Sequence, residues 1–259
     1  GIATINALAP GRTFAILGTG NTAMRMLGSR PMSAKALREY VRVVRGLLDS
    51  FALGADINPN PSLLLGAVEL SPLNVAQLYQ YFAADGHAVP LHAVRGIVDS
   101  KGRPVSRFGV KPGSGDYVVA SRLLTWAMQQ VVESGTARSI GEAGLANLHA
   151  AGKTGTSDSQ RDSWFAGFSG NQLGVVWMGR DDNSSTRLYG STGALRAWID
   201  LFKRLPAQAL ASSRQGLEFV WIDPQSTQRS DPVCTGSREL PFIEGYAPQE
   251  RHGCALGKL

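Results

Sequence analysis

Lys153-Thr154-Gly155-Thr156 places an ammonium group, two hydroxyls and a residue without a side chain in one tetrapeptide. Short strings of this kind recur by chance, so the surroundings decide their worth. Other residues able to do chemistry are sparse. The four histidines, His87, His92, His149 and His252, are scattered and form no metal-ligand set, so no metal is expected. Gly18-Thr19-Gly20 lacks the third glycine of a dinucleotide-binding loop. The two cysteines, Cys234 and Cys254, sit close together near the carboxy terminus. A bridge between them would close a loop of about 20 residues and contribute roughly 3 kcal/mol. It would also place the protein outside the cytoplasm, whereas two unpaired thiols would fit a cytosolic chain.

The elements that must position these groups can be read from periodicity. Leu37, Tyr40, Val41, Val44, Leu48 and Phe51 share a helical face after Ser33, with Gly54 as a stop and Arg38, Arg42 and Arg45 on a solvated face. Ser71-Pro72 opens a second helix that buries Val75, Leu78, Tyr79 and Phe82 and ends at Asp85-Gly86. Two short strands, near 92–98 and 104–108, flank a turn at Asp99-Ser100-Lys101-Gly102. The strongest helix runs from Asp116 to Ser134, where apolar pairs recur about every four residues up to Val131 and Val132. A strand is expected at about 149–152, before the tetrapeptide. Strands at 163–168 and 173–178 follow, joined by Ser169-Gly170-Asn171-Gln172. A last helix after Gly193 turns Leu195, Trp198, Ile199, Phe202 and Leu205 inward. Beyond Pro206 the chain is turn-rich, with an extended piece at 217–222. This order predicts an α+β fold, a mainly antiparallel sheet packed by helices.

Composition sets outer limits. The chain has 259 residues, 43% of them hydrophobic and 18% charged, which suits a packed core and excludes a disordered or fibrous chain. No apolar run reaches the length of a membrane-spanning helix, and the amino terminus carries no signal-peptide pattern. The net charge of +6 and pI near 9.6 fit any polyanion. A nucleic-acid module has only this charge in its favour, with no aromatic-basic platform or fingerprint, so no nucleic acid is expected. The chain begins at Gly1, not Met, and is expected to be a processed chain or an excised piece.

The tetrapeptide does not stand alone. Upstream lie Leu64-Leu65-Gly66-Ala67-Val68-Glu69-Leu70-Ser71-Pro72, then Met128-Gln129-Gln130-Val131-Val132 and Gly135-Thr136-Ala137. Downstream lie Asp162-Ser163-Trp164-Phe165-Ala166-Gly167, Val176-Trp177-Met178-Gly179-Arg180-Asp181 and Tyr189-Gly190-Ser191-Thr192-Gly193-Ala194. The series resembles the transpeptidase domain of class A, bifunctional penicillin-binding proteins, most closely the 1B subgroup. The resemblance is strong from about Pro59 to Leu205, and the tail with Trp221-Ile222-Asp223-Pro224, Cys234 and Cys254 looks similar too. It implies a fold like that of penicillin-binding transpeptidases and serine β-lactamases. Residues 1–206 would form a partial transpeptidase domain, with 1–58 matching poorly. Residues 207–259 would form a tail or small subdomain.

The resemblance also implies an activity: D,D-transpeptidation, which cross-links peptidoglycan stem peptides through a serine ester, needs no cofactor and is captured by β-lactams. Lys153, Thr154 and Gly155 would be the catalytic motif on a strand edge. Lys153 would direct charge at the terminal carboxylate of a D-Ala-D-Ala donor, with Thr154 and Thr156 giving hydroxyls to the same group. Gly155 would let the substrate lie close, and a backbone N–H of the strand would serve the oxyanion hole. Implied surroundings are the periplasmic side of the bacterial inner membrane, an anchor upstream, often a glycosyltransferase domain, and cell-wall synthesis partner proteins.

The chain departs from the family in one respect. The nucleophile motif is Ser-x-x-Lys, and no serine here has lysine three residues on. Ser33-Ala34-Lys35 has the wrong spacing for a shared helix face. For the second motif, Ser-x-Asn, Thr19-Gly20-Asn21 is a degenerate candidate, while Ser169-Gly170-Asn171 falls after the tetrapeptide in a turn and is rejected. Two readings follow. Either the nucleophile precedes Gly1 in an incomplete domain, or the chain is an inactive module that binds peptidoglycan or a partner.

Overall fold

The computed structural model describes residues 69–256 apart from 95, 110–112, 114, 116 and 252. The helix expected after Ser33, and Thr19 and Asn21, lie outside the described residues.

Helix α1 spans Pro72–Ala83. Ser71 starts it by a reciprocal cap: Ser71 Oγ accepts the Asn74 N–H at 3.2 Å and Asn74 Oδ1 accepts the Ser71 N–H at 3.0 Å. Pro72 loses nothing at the first helical position, where the N–H has no intrahelical acceptor. The helix stops where Asp85 and Gly86 turn to positive φ. Strands β1 (Gly96–Val98) and β2 (Pro104–Arg107) form an exposed antiparallel ribbon. Its turn is held by Asp99, which accepts the N–H groups of Lys101 and Arg103 and pairs with the Arg103 guanidinium at 2.7 Å. Helix α2 runs Val118–Glu133.

Strands β3 (Ala151–Thr156), β4 (Ser163–Phe168) and β5 (Leu173–Met178) make an antiparallel sheet in that order. The hairpin and both of its strands fall at the expected residues. β3 does not: it begins two residues later than expected and carries the whole tetrapeptide. His149, at φ +47, breaks the chain first, and pairing with β4 then holds Lys153 to Thr156 extended although they carry no apolar alternation. Periodicity alone stops such a strand short, because its conformation is imposed by the partner, whereas the family resemblance had implied a strand edge for the motif.

Register puts Gly152, Gly167 and Gly174 side by side across the three strands. Their missing side chains leave a slot for Phe165 and for helix α3, Ala194–Phe202. A Cβ on Gly174 would come within 2.7 Å of Trp198 Nε1 and 2.8 Å of a Phe202 ring carbon. Trp198 stacks on Phe202 with centroids 3.6 Å apart and meets Phe165 edge-on at 5.2 Å. Phe165, Leu195, Trp198 and Phe202 are buried with Val131 and Val132 of α2. Each such aliphatic or Phe side chain contributes about 1.5–3 kcal/mol on burial. On the opposite face, Ala151 and Phe168 pack with Met128, Leu124 and the α1 residues Tyr79 and Phe82. Burial raises the Tyr79 phenol well above its ordinary pKa. Helices therefore cover both faces of the sheet.

The carboxy-terminal region adds strands β6 (Leu217–Ile222) and β7 (Arg238–Ile243), antiparallel, and a short helix α4 (Gly253–Leu256). Ile222, Leu240, Phe242 and Ala247 bury against Ala127, so α2 is shared between this region and the main core. Cys234 and Cys254 are joined by a disulfide with Cα atoms 6.1 Å apart. The fold is α+β, with helices around antiparallel sheets.

Candidate active site

β3 lies at one end of its sheet, and among the described residues no strand pairs with its outer edge. Lys153 and Thr154 start from opposite faces, because side chains alternate along a strand. They meet at that edge. Lys153 Nζ donates to the Thr154 carbonyl at 2.7 Å and to Thr154 Oγ1 at 3.4 Å. The ammonium is half-buried with no carboxylate partner among the described residues, and desolvation lowers its pKa below the usual lysine value. An unneutralised, partly desolvated cation at a strand edge favours a bound anion.

In-plane backbone groups alternate as side chains do. The Thr154 carbonyl faces the unpaired edge, where Lys153 reaches it, so the Thr156 N–H two residues on has the same direction. That N–H is placed to donate to a ligand oxygen at the edge.

Both hydroxyls of the motif are held by residues outside β3. Thr154 Oγ1 lies 2.8 Å from Thr136 Oγ1, in the turn after α2. Thr156 Oγ1 accepts the Gly190 N–H at 2.9 Å, which leaves its own hydrogen to donate. The loop carrying Gly190 sits hard against the strands: a Cβ there would come within 2.6 Å of the Gly155 and Trp164 carbonyl oxygens. Ser163, fully buried opposite Thr156, locks this loop in place. Its Oγ donates to the Tyr189 carbonyl and accepts the Ala194 N–H, both at 2.9 Å. At Gly155 a Cβ would meet Trp164 Cβ at 3.1 Å, so the residue is small where the strands pack closely.

Lys153, Thr154, Gly155 and Thr156 are thus brought together on one edge. Asn171 is at the other end of the sheet, where its side chain accepts from Gln208 and donates to the Pro206 carbonyl. Cys234 and Cys254 belong to the β6–β7 region. Thr136, Ser163 and Gly190 complete the site without an expected role. Their signal in the sequence was that Gly135-Thr136-Ala137, Asp162-Ser163 and Tyr189-Gly190 belong to the same ordered series as the tetrapeptide. Among the described residues no group of three or more His, Cys, Asp or Glu side chains is arranged to hold a metal.

Comparison with known proteins identifies the family. Residues 21–192 match the penicillin binding protein transpeptidase domain family. The chain is 42% identical over 217 residues to penicillin-binding protein 1B of Escherichia coli, covering 75% of this chain and 25% of that protein. It is 33% identical over 214 residues to penicillin-binding protein 1B of Vibrio cholerae, covering 82% of this chain and 27% of that one. It therefore spans about a quarter of the length of these curated relatives. Among solved structures, the crystal structure of penicillin-binding protein 1A from Haemophilus influenzae superposes with a TM-score of 0.66 over 84% of this chain and 40% of its own, at 20% identity. That likeness concerns the fold.

Proposed function

Because the chain belongs to the penicillin-binding protein transpeptidase domain family, we propose that the outer edge of β3 binds the terminal carboxylate of D-Ala-D-Ala stem peptides during peptidoglycan D,D-transpeptidation. The observation that carries this is the convergence of Lys153 Nζ and Thr154 Oγ1 on a strand edge that no strand among the described residues pairs with. On this reading Lys153 attracts the carboxylate. Thr154 and Thr156 donate hydroxyl hydrogens to it, and the Thr156 N–H faces the oxygen that becomes negative during acyl transfer. Acyl transfer also needs a nucleophile. No Ser-x-x-Lys occurs in the 259 residues, so the carboxylate-binding half of the reaction is what this chain contributes.

Division of the chain at about residue 206 is part of the same proposal, as is a location on the periplasmic side of a bacterial inner membrane. The Cys234–Cys254 bridge supports an oxidising compartment. No helix among the described residues is long and apolar enough to cross a membrane. β-Lactams and cell-wall synthesis proteins are the further partners this reading implies.

A reversible binding module is the second reading, favoured by the missing Ser-x-x-Lys. Calorimetry with a D-Ala-D-Ala peptide, together with incubation with a labelled penicillin, tests the assignment. The expected result is reversible, Lys153-dependent binding of a D-Ala-D-Ala peptide and no covalent adduct. A stoichiometric adduct on one serine would show that this chain holds a nucleophile after all.

A further inference from the structure

Thr136 has no part in the reading above, yet its hydroxyl is 2.8 Å from that of Thr154. Its place is fixed by its neighbours. The Gly135 N–H donates to the Gln130 carbonyl at 3.2 Å and the Ala137 N–H to the Val131 carbonyl at 3.0 Å, while the Ala137 side chain is fully buried. Thr136 itself is exposed. It is a rigidly held surface hydroxyl aimed at a motif residue.

The direction of the hydrogen bond matters. A threonine hydroxyl has one hydrogen and two lone pairs, an ammonium only donates, and a carboxylate only accepts. Thr154 Oγ1 already receives Lys153 Nζ at 3.4 Å. If Thr136 also donates to it, both lone pairs are filled and the Thr154 hydrogen is free for a ligand carboxylate. If Thr154 donates to Thr136 instead, a lone pair faces the anion.

We infer that Thr136 is a positioning residue that donates to Thr154 Oγ1 and so commits the Thr154 hydrogen to the carboxylate of a D-Ala-D-Ala terminus. The inference rests on the carboxylate reading of the β3 edge, and its test separates the two. Binding of a synthetic peptide ending in D-Ala-D-Ala, and of the same peptide with a C-terminal amide, is measured by calorimetry on the 259-residue chain and on Thr136→Val, Thr136→Ser and Lys153→Ala, with melting temperatures alongside. Thr136→Val is expected to weaken the acid peptide about 3- to 10-fold, as for loss of one hydrogen bond. It should leave the amide peptide and the melting temperature unchanged, and Thr136→Ser should keep the wild-type affinity. If Lys153→Ala weakens the acid peptide and Thr136→Val does not, Thr136 has no positioning role. Failure of Thr136→Ser to keep the affinity, or equal losses for acid and amide peptides, would make the role of Thr136 merely structural and overturn the inference. If Lys153→Ala also binds normally, the carboxylate reading itself fails.

Discussion

Ser163 donates to the Tyr189 carbonyl at 2.9 Å from a position closed to water, and through that bond a buried residue of β4 sets the loop that holds Thr156. Ser163→Ala removes the acceptor of the Ala194 N–H and leaves that group buried without a partner. The expected cost is about 1–3 kcal/mol. In a protein of this size that lowers Tm by about 2–4 °C per kcal/mol. Differential scanning calorimetry measures it, and an unchanged Tm would show that the loop is held by its other bonds.

Gly174→Ala tests the aromatic slot. Its Cβ would fall 2.7 Å from Trp198 Nε1, against a stack that is buried on both sides. Overpacking of this kind costs about 1–3 kcal/mol. The near-ultraviolet circular dichroism of the Trp198–Phe202 pair should weaken together with the midpoint of urea unfolding. A signal and midpoint equal to wild type would mean that α3 is looser on the sheet than its contacts indicate.

On the carboxylate reading, Lys153 should make binding pH-dependent. Desolvation lowers its pKa, so the folded chain holds this proton less tightly than the unfolded one. Its contribution to stability is therefore unfavourable below the lowered pKa. It recovers as pH rises from there to the ordinary lysine value. Peptide binding has the opposite sign, since an anion favours the ammonium form. Affinity for a D-Ala-D-Ala peptide should decline across that window, with proton uptake visible as a buffer-dependent binding enthalpy. Lys153→Arg, which stays charged, should lose the decline. Affinity that is flat up to the ordinary lysine value would dissociate Lys153 from the ligand.

The bridge between Cys234 and Cys254 closes a loop with a sequence separation of 20. Its reduction, or the paired Cys234→Ser and Cys254→Ser change, should cost roughly 3 kcal/mol. Because Ile222, Leu240 and Phe242 bury against Ala127, the loss should loosen the β6–β7 region first. Hydrogen exchange should speed up there before it does in β4. Uniform exchange, or equal melting with and without reductant, would contradict this.

Much of the fold is written locally. Ser71, Pro72 and Asn74 start α1 by their own chemistry, and Ser169-Gly170-Asn171-Gln172 turns β4 into β5 where a hairpin was expected. The extended piece at 217–222 is also a strand as placed, because it alternates or runs apolar over its length. Periodicity ended β3 at about residue 152 because Lys153, Thr154 and Thr156 have no period of their own and are held extended by pairing with β4; only the family resemblance implied a strand there. The tetrapeptide of the candidate site stood out by residue type and by the order of the series. The supporting bonds of Thr136, Ser163 and Gly190 were not, because each joins residues 18, 26, 31 or 34 positions apart. No spacing rule within one helix or strand reaches that far.

Gly152, Gly167 and Gly174 bring no side chains of their own to the three paired strands; Phe165 of β4 fills the space over the first two, and Trp198 and Phe202 of α3 fill it over Gly174. The sheet therefore draws part of its packing from a helix that follows it in the chain, and a chain ending before Phe202 would carry the motif but lack that part of the core beneath it.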